Sequence, residues 1–365
     1  MDRAIASWRT TLTDQGNEQI DRLARSLAKT YTRYGSMLLL PSRALQDNGY
    51  QDLRQHYDES TIVELHRHIA KEMKVSHIAV NHPIPPARQE TTRHDPQNYM
   101  RSPINFQPVY GDFGPSTCSS PPSAVDFTQA YWITAKQNGV AQSWAPRWTM
   151  FSRGNISEKA RVLDLPSVAQ AVAEGVRSGS GCAVVDLYAG IGYFAFSYVK
   201  AGVHKVLCWE LNQWSCEGLR RGAQANRWKS ATYSGESLTE MAAGPEQLVI
   251  FNETNELALH RIDAMRACLP PIRHVNCGLL PTSRPSYSIA LKALDRANGG
   301  WIHVHENFGV HEIELRAAEV AALFQSMLDQ QIGNTKTAML ESITRVKTYA
   351  PGVYHCVLDI CISPA

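Results

Sequence analysis

The chain has 365 residues, 36 Lys and Arg against 34 Asp and Glu, and 44% hydrophobic residues, which predicts two domains with a substantial core in the larger one. Charge is balanced in both parts, with 16 basic and 14 acidic side chains in residues 1–150 and 20 of each in the remainder. This composition excludes a domain that grips nucleic acid through bulk charge, for which a pI above about 9 is expected, so any nucleic-acid site is predicted to be a local patch.

The cysteines and the N-terminal sequence indicate whether the protein binds a metal and in which cellular compartment it is found. The eight cysteines form no Cys-x-x-Cys pair and no Cys/His array with zinc spacing, so reduced thiols and no metal site are expected. No stretch approaches the ~18 apolar residues of a membrane span, and MDRAIASWRT lacks the apolar core of a signal sequence. We therefore expect a cytoplasmic protein with no membrane association and no obligate protein partner.

The first 150 residues predict a smaller α+β domain. Residues 1–34 have apolar side chains at helical spacing. Their basic face between positions 22 and 33 is interpreted as solvated, with contact to an RNA backbone as the alternative. The apolar run SMLLLP and a His-rich helix around IVELHRHIAKEM follow.

A proline-rich segment covers residues 81–123, which predicts a loop or an extended insertion without long regular elements. His82 and His94 lie within this segment and His77 lies just before it. These three histidines lack the pairing expected of metal ligands. A helix is predicted after the insertion, in DFTQAYWITAKQNG, ending in a turn at QNG. The domain boundary is placed between residues 150 and 151.

Residues 151–365 alternate between strand and helix patterns. This alternation predicts a doubly wound, Rossmann-like α/β sheet of about seven strands. The last two strands follow each other without a helix and are expected to pair antiparallel. The predicted strands are CAVVDLY, HKVLCWE, QLVIFN, RHVNCGLL, GGWIHVHEN, AMLESITRVKTYA and VYHCVLDICIS.

The most informative motif is the glycine turn that follows the first of these strands, Asp186-Leu-Tyr-Ala-Gly-Ile-Gly-Tyr-Phe194. Gly190 and Gly192 allow a tight turn and a close approach to a ligand at the carboxyl edge of the sheet. The third glycine of the dinucleotide fingerprint is absent, which disfavours a nicotinamide or flavin enzyme. Glu210 stands about 20 residues later at the end of the second strand, where a carboxylate can accept both ribose hydroxyls. The pair is typical of S-adenosylmethionine (SAM) enzymes, with an ordinary turn and a surface Glu as the alternative.

The third and fourth strands also end in polar residues. Asn252 or Glu253 is expected near the adenine, with a helix N-cap at Asn252 or Thr254 as the alternative. Asn276 ends the fourth strand, but the run after it lacks the Asn-Pro-Pro-aromatic signature with which base methyltransferases bind the amine. This absence argues against methyl transfer to an exocyclic nitrogen.

Six blocks in order, from about residue 125 to the C-terminus, resemble the tRNA wybutosine-synthesising protein 2 family. They are WTMFSRGNISEKARV, VVDLYAGIGYF, LCWELNQWSCEGLRRGAQANRW, HVNCGLLPTS, GGWIHVHENF and VKTYAPGVYHCVLDI. The resemblance implies transfer of the 3-amino-3-carboxypropyl group of the co-substrate SAM, with release of methylthioadenosine. The implied acceptor is the tricyclic base 4-demethylwyosine at position 37 of phenylalanine tRNA.

The resemblance also implies roles for residues of this chain. Ser152 and Lys159 are expected to contact SAM, Glu210 to hold the ribose, and Glu253 to replace the family's adenine-side Asp, where relatives usually show Gly-Asp-Asn. The full set expected to bind SAM is Ser152, Lys159, Asp186, Tyr188, Ala189, Gly190, Gly192, Glu210, Asn252, Glu253 and Asn276.

No catalytic acid or base is required if the pocket places the γ-carbon of the methionine arm in line with the base. Candidates to accept the proton lost by the attacking ring carbon are His303 and His305, with packing and hydrogen bonding as the alternative for both. Asn276 is a further catalytic candidate, without an assigned role.

The residues expected to contact tRNA lie outside the sheet core. They are the basic residues Arg153, Arg161, Arg220 and Arg221 for phosphates, with solvated surface charges as the alternative. The aromatic residues Trp144, Trp148 and Phe151 are expected to stack on an extruded base or else to pack in the core.

Two other functions remain open. The first alternative is a SAM-dependent tRNA guanine-37 N1-methyltransferase, whose family shares the MFS-GN-EK-R block and the glycine turn. The second is a nucleotide-binding or scaffold protein that keeps the fold without turnover.

Overall fold

The computed structural model describes residues 1–12, 18–27, 31–46, 48–81, 103, 106–235, 244–331, 333 and 335–364. The chain forms two compact units. Unit 1 comprises Met1–Ala135 and Ser143–Phe151, and unit 2 comprises Lys136–Gln142 and Ser152–Ala365. The division into domains at residues 1–150 and 151–365 stays a prediction.

Unit 1 is a small sheet covered by helices. Its strands are β1 (Thr32–Tyr34), β2 (Met37–Pro41), β3 (His77–Asn81) and β4 (Gln107–Tyr110), in the order β1-β2-β3-β4. Its helices are α1 (Asp2–Arg9), α2 (Glu18–Leu27), α3 (Arg43–Gln46), α4 (Asn48–His56), α5 (Glu59–Glu72) and α6 (Ala124–Gln129). The core lies between helices and sheet, where Trp8, Leu53 and Leu65 pack against Leu38 and Ile78.

Two predictions in this region are wrong. Residues 32–34 form a strand instead of the end of a helix, because they pair with β2 across a turn in which Gly35 has φ +49°. The helix predicted after residue 124 ends at Gln129, and residues 133–144 form a hairpin of β5 (Ile133–Gln137) and β6 (Val140–Trp144). The turn at QNG is correct: Asn138 and Gly139 both have positive φ, as tight hairpin turns require.

Part of the proline-rich segment lies outside the described residues, including His82 and His94. Between residues 106 and 123 the only regular element is the short strand β4. His77 stacks on Tyr131, with ring centroids 3.5 Å apart, and its Nε2 lies 2.8 Å from the carbonyl oxygen of Asp112.

Unit 2 confirms the doubly wound α/β sheet. Its strands are β7 (Ala183–Asp186), β8 (Lys205–Trp209), β9 (Ser230–Tyr233), β10 (Leu248–Phe251), β11 (Ile272–Cys277), β12 (Gly300–Gly309), β13 (Lys336–Ala350) and β14 (Val353–Pro364). Its helices are α7 (Ile156–Asp164), α8 (Pro166–Ser178), α9 (Ala195–Lys200), α10 (Gln213–Ala225), α11 (Ala258–Met265), α12 (Tyr287–Ala293) and α13 (Ile313–Asp329).

The strand order is β13-β14-β12-β11-β7-β8-β10-β9. The strands from β12 to β9 are parallel, whereas β14 is antiparallel to both β12 and β13, as expected for the last two strands. The sheet therefore has eight strands instead of about seven. Sequence reasoning missed β9 because Ser-Ala-Thr-Tyr is a half-buried edge strand without an apolar run.

Apolar layers cover both faces at the centre of the sheet, since β7, β8 and β10 each contribute buried side chains to two clusters. Leu207, Phe251 and Ile302 belong to one cluster, and Val184 and Phe196 belong to the other. Parallel strands buried on both faces present their polar residues at the strand ends, which is where ligands bind in open α/β sheets. Among the helices of the described residues, none is long and apolar enough to span a membrane.

Candidate active site

The glycine turn lies at the carboxyl end of β7. It follows the buried Asp186 and carries the predicted residues Tyr188, Ala189, Gly190 and Gly192. Gly190 and Gly192 have φ values of +55° and +87°, a region that favours glycine. A Cβ on Gly192 would lie 2.7 Å from the ring of Phe196. The turn thus depends on glycine for both its backbone conformation and its packing.

Glu210 connects the end of β8 to this turn. Its carboxylate accepts the backbone N–H of Gly190 at 2.8 Å and that of Asn212 at 2.7 Å. Burial raises its pKa to about 7, although these hydrogen bonds oppose the shift. A carboxylate has about four acceptor positions, so Glu210 keeps acceptor capacity for a diol such as a ribose.

Asp186 and Asn276 form a buried pair across β7 and β11. The Asn276 amide donates to Asp186 Oδ1 at 3.1 Å, and the Tyr188 N–H reaches the same oxygen at 3.3 Å. Burial raises the pKa of Asp186 to about 6. Asp186 Oδ2 is buried and has no hydrogen-bond partner among the described residues. An acceptor of this kind beside a glycine turn fits a ligand that brings a donor.

Glu253 and Asn252, the residues expected near the adenine, lie after the end of β10 and make contacts within the protein. The Glu253 carboxylate forms a buried ion pair with Arg261 at 2.6 Å and accepts the Trp209 indole N–H at 3.3 Å. The Asn252 amide donates to the carbonyls of Glu210 and Leu211. Both side chains are therefore engaged within the protein, and an adenine contact by either stays a prediction.

Two neighbouring residues complete this loop. Thr254 accepts the Glu256 N–H and caps a short 3₁₀ turn, in agreement with the N-cap alternative for that residue. Sequence reasoning missed Asn255, whose amide donates to the carbonyl of Leu187 at 2.9 Å and so ties the loop to the glycine turn.

Ser152 and Lys159 lie beside the same turn. The Ser152 N–H donates to the Tyr193 hydroxyl at 3.0 Å, and the Lys159 ammonium lies 5.3 Å from the centre of the Tyr193 ring. Lys159 also donates to the side-chain oxygens of Gln137 at 2.5 Å and Gln142 at 2.9 Å. Burial, together with the charge of Lys347, lowers the pKa of Lys159 to about 8. No motif in the sequence singled out Gln137 or Gln142.

His303 belongs to a buried polar network. Its Nδ1 lies 2.7 Å from Asp359 Oδ1, and its Nε2 lies 2.9 Å from Nδ1 of His274. Arg161 pairs with the same Asp359 at 2.6 Å and with Glu158 at 2.7 Å. Both ring nitrogens of His303 are thus engaged, as the packing and hydrogen-bonding alternative predicts.

His305 occupies a second position on the same strand. Its Nδ1 lies 2.9 Å from Nε2 of His355, and its ring centre lies 5.0 Å from that of Phe194, at the end of the glycine turn. Burial keeps the pKa of His305 well below its usual value and lowers that of His355 to about 4. The pair is therefore neutral at physiological pH.

The basic residues expected to contact tRNA have unequal surroundings. Arg161 directs four hydrogen bonds at the buried carboxylates of Glu158 and Asp359, and its side chain is 20% exposed. A phosphate contact by Arg161 stays a prediction. Arg220 and Arg221 both pair with Glu217 at 2.7 Å but remain partly exposed. The side chain of Arg153 lies outside the described positions.

The aromatic residues expected to stack on a base pack mainly on one another. Trp144 and Phe151 are stacked with ring centres 4.3 Å apart, and Tyr34 contacts both edge-on. Trp144 is buried within unit 1, in agreement with the core alternative, whereas Trp148 is half-buried. Within the described ranges, no group of His, Cys, Asp and Glu side chains has the arrangement of a metal site.

Known proteins resemble this chain over most of its length. No family model matches the chain. The sequence is 41% identical over 291 residues to tRNA wybutosine-synthesizing protein 2 of Schizosaccharomyces pombe, covering 80% of this chain and 62% of that protein. It is 33% identical over 310 residues to the protein of the same name from Saccharomyces cerevisiae, covering 78% of this chain and 60% of that one. The chain thus spans about three-fifths of the length of these relatives.

The fold has a counterpart among solved structures. The crystal structure of P. horikoshii TYW2 in complex with MeSAdo matches with a TM-score of 0.60 at 17% identity, covering 100% of both chains. At this identity the match supports the fold, whereas the yeast relatives support common descent. Over about four-fifths of its length, this chain is therefore homologous to proteins named tRNA wybutosine-synthesizing protein 2.

Proposed function

We propose that this chain transfers the 3-amino-3-carboxypropyl group of SAM to the tricyclic base, 4-demethylwyosine, at position 37 of phenylalanine tRNA. The observation that carries the proposal is Glu210 hydrogen-bonded to the Gly190 amide at the carboxyl edge of the sheet. This arrangement suits a ribose diol and lies in a chain homologous to proteins named for wybutosine synthesis. We place the reaction in the cytoplasm.

The glycine turn and its neighbours would bind and orient SAM. The Glu210 carboxylate accepts the ribose hydroxyls, and Asp186 Oδ2 supplies a further buried acceptor. Lys159, beside Ser152 and Tyr193, brings a positive charge to the other end of the site and suits the carboxylate of the methionine arm. A lowered pKa of about 8 leaves this ammonium largely charged at neutral pH.

The sulfonium of SAM activates three carbons, and position decides which one reacts. When the γ-carbon of the methionine arm faces the base, a ring carbon of the base forms the new bond as the carbon–sulfur bond breaks. The bonding pair goes to sulfur, methylthioadenosine leaves, and the ring carbon loses its proton to solvent water. Such positioning can supply several kcal/mol of the barrier without a finely tuned acid or base. This fits the engagement of His303 in its own network.

A labelling assay tests the proposal. The protein is incubated with phenylalanine tRNA that carries the tricyclic precursor, and with SAM labelled either in the methyl carbon or in the carboxypropyl carbons. Label is expected to enter tRNA from the carboxypropyl donor alone. Label from the methyl donor alone would indicate the guanine-37 methyltransferase, and label from neither donor would indicate a protein that does not catalyse transfer.

A further inference from the structure

Three polar side chains lie together near the end of β12, in what we call the His305–Asn307–His355 cluster. Asn307 is paired with His355 in the register of β12 and β14, and His305 Nδ1 lies 2.9 Å from His355 Nε2. His305 and His355 are 2% and 0% exposed. All three residues belong to unit 2, and none is part of the SAM-binding set described above.

Four polar atoms of this cluster are buried without a hydrogen-bond partner among the described residues: His305 Nε2, His355 Nδ1, and both Nδ2 and Oδ1 of Asn307. Unpaired buried polar atoms cost free energy, and natural proteins rarely keep several of them side by side. Glu306, between His305 and Asn307 in sequence, is by contrast well paired, accepting from Thr282, Ser283 and Tyr287. The unpaired atoms are therefore specific to one face of β12.

The cluster lies beyond the end of β11, next to the glycine turn. Asn276 pairs with His303 and Cys277 with Val304 in the sheet register, so His305 and Asn307 extend past the last residue of β11. Phe194, which ends the glycine turn, lies 5.0 Å from His305 between ring centres. The same Phe194 ring lies 3.7 Å from where a Cβ on Gly278 would sit. His305 and Asn307 thus lie buried just past the carboxyl end of β11, beside the residue that ends the glycine turn.

The hydrogen-bonding capacity of the cluster is mixed and neutral. An amide such as that of Asn307 offers a donor and an acceptor side by side. Two neutral imidazoles that share one hydrogen bond also leave one donor and one acceptor free, whichever tautomer they adopt. Burial keeps both rings neutral; Arg161, His303 and Lys347 favour this state, and Asp359 opposes it weakly.

We propose that the His305–Asn307–His355 cluster recognises the edge of the acceptor base, an extruded purine-derived heterocycle that presents donors and acceptors together. This inference rests on the proposed function and names the residues that read its substrate. Bases taken out of a stack are read by hydrogen bonds to their edges beside an aromatic or apolar side chain. The apolar side chain beside the cluster is Phe194, which is 4% exposed and lies 5.0 Å from His305 between ring centres.

The test replaces Asn307 with a side chain of similar shape and no polar atoms. Asn307→Leu is expected to keep or raise Tm, because it removes two unpaired buried atoms, and to bind SAM as the wild type does in calorimetry. Its kcat/KM for precursor tRNA in the labelling assay should fall about 5- to 150-fold, the range for losing one bidentate base contact.

Asn226→Leu is the matched control. The Asn226 amide is fully engaged with the backbone of Ala141 and Gly222, so its replacement should lower Tm and leave kcat/KM of the folded fraction unchanged. An Asn307→Leu variant that transfers at the wild-type kcat/KM, or that behaves like Asn226→Leu, would overturn the inference by assigning Asn307 a structural or water-binding role.

A second variant covers the case in which Asn307→Leu does not fold. The double replacement His305→Phe with His355→Phe removes both partners of the shared hydrogen bond and is judged by the same criteria. Absence of transfer by the wild-type protein would contradict the proposed function itself. Transfer by the wild type and equally by the variants would contradict only base recognition by the cluster.

Discussion

Two halves of the same sheet edge in unit 2 are built differently. In the half formed by β7, β8 and β10, the carboxylate of Glu210 meets the backbone N–H of Gly190, 20 residues away in sequence. In the half formed by β12 and β14, side chain meets side chain over long separations, 56 residues for His303 with Asp359 and 198 for Arg161 with Asp359. We propose that the first half holds SAM, whereas the second half is a buried polar network that stabilises the fold.

Breaking the buried network should have the largest effect on stability. Arg161→Ala leaves the carboxylates of Glu158 and Asp359 buried without their cation, which is expected to cost about 3–5 kcal/mol of the free energy of unfolding. Urea denaturation followed by circular dichroism measures this change. The matched control is Arg220→Ala, whose exposed pair with Glu217 is expected to contribute at most about 1 kcal/mol. Equal losses in the two variants would contradict a stabilising role of Arg161 in the network of Glu158 and Asp359.

The buried histidines predict an effect of pH on stability that is nearly as large. Burial lowers the pKa of His355 from 6.5 to about 4 in the folded protein. The unfolded chain therefore binds a proton between pH 6.5 and 4 that the folded chain excludes, and stability falls as the pH is lowered through this window. The contribution of His355 is on the order of 3 kcal/mol.

Denaturation midpoints measured between pH 7 and 4 check this prediction. The stability of His355→Phe relative to the wild type should rise as the pH is lowered from 7 to 4, because the variant lacks one of the groups that gain a proton on unfolding. A profile for His355→Phe that is parallel to that of the wild type would show that His355 titrates similarly in both states.

Changing the ligand-binding half should weaken SAM binding and lower stability by less than the loss of Arg161, because one of the two backbone N–H groups bound by Glu210 loses its acceptor. Glu210→Gln replaces a charged acceptor with an amide, and the loss of one hydrogen bond to a charged group is worth about 1.5–3 kcal/mol, or roughly 10- to 150-fold in Kd. Isothermal titration with SAM gives the value. The matched control is Glu256→Gln, which replaces an exposed residue of the loop after β10 and should bind SAM like the wild type. If Glu210→Gln has the same Kd for SAM as the wild type and this control, Glu210 does not contact the ribose.

The smallest effect is expected from the partly exposed arginines. Arg220→Ala with Arg221→Ala should leave stability within about 1 kcal/mol of the wild type. Their loss should reduce the slope of log K for tRNA binding against log salt by about 1 for each phosphate contact removed. Filter binding at several salt concentrations measures the slope. An unchanged slope would show that Arg220 and Arg221 make no phosphate contact and that the tRNA backbone binds to another surface.

The contrast between local motifs and long-range contacts also explains which parts of the fold the sequence predicts. The doubly wound sheet, the antiparallel pairing of β13 with β14 and the glycine turn follow from short motifs and from the alternation of strands and helices. The edge strand β9 has no apolar run, and the segment of the hairpin of β5 and β6 is rich in Ala, Lys and Gln, which favour helices, so its strand pairing is not predicted. Tertiary pairing decided these elements.

The candidate site likewise contains residues that a local motif predicts and residues that only the folded structure brings together. The motif around Gly190 and Glu210 is local, and the structure brings the two residues together. The ion pair of Glu253 with Arg261 and the pairing of Arg161 with Asp359 could not be predicted, since charge alone does not show which partner a side chain reaches. Asn307 and His355 were missed for the same reason: they become neighbours only when β14 pairs with β12.

The identity of the adenosine product released from SAM tests the central claim most directly. Wild-type protein, SAM and phenylalanine tRNA carrying the tricyclic precursor are incubated, and the small molecules are separated by chromatography and identified by mass. Methylthioadenosine is expected in amounts equal to the modified tRNA formed, because the carbon–sulfur bond to the methionine arm is the one that breaks. Release of S-adenosylhomocysteine with a methylated tRNA would contradict this expectation.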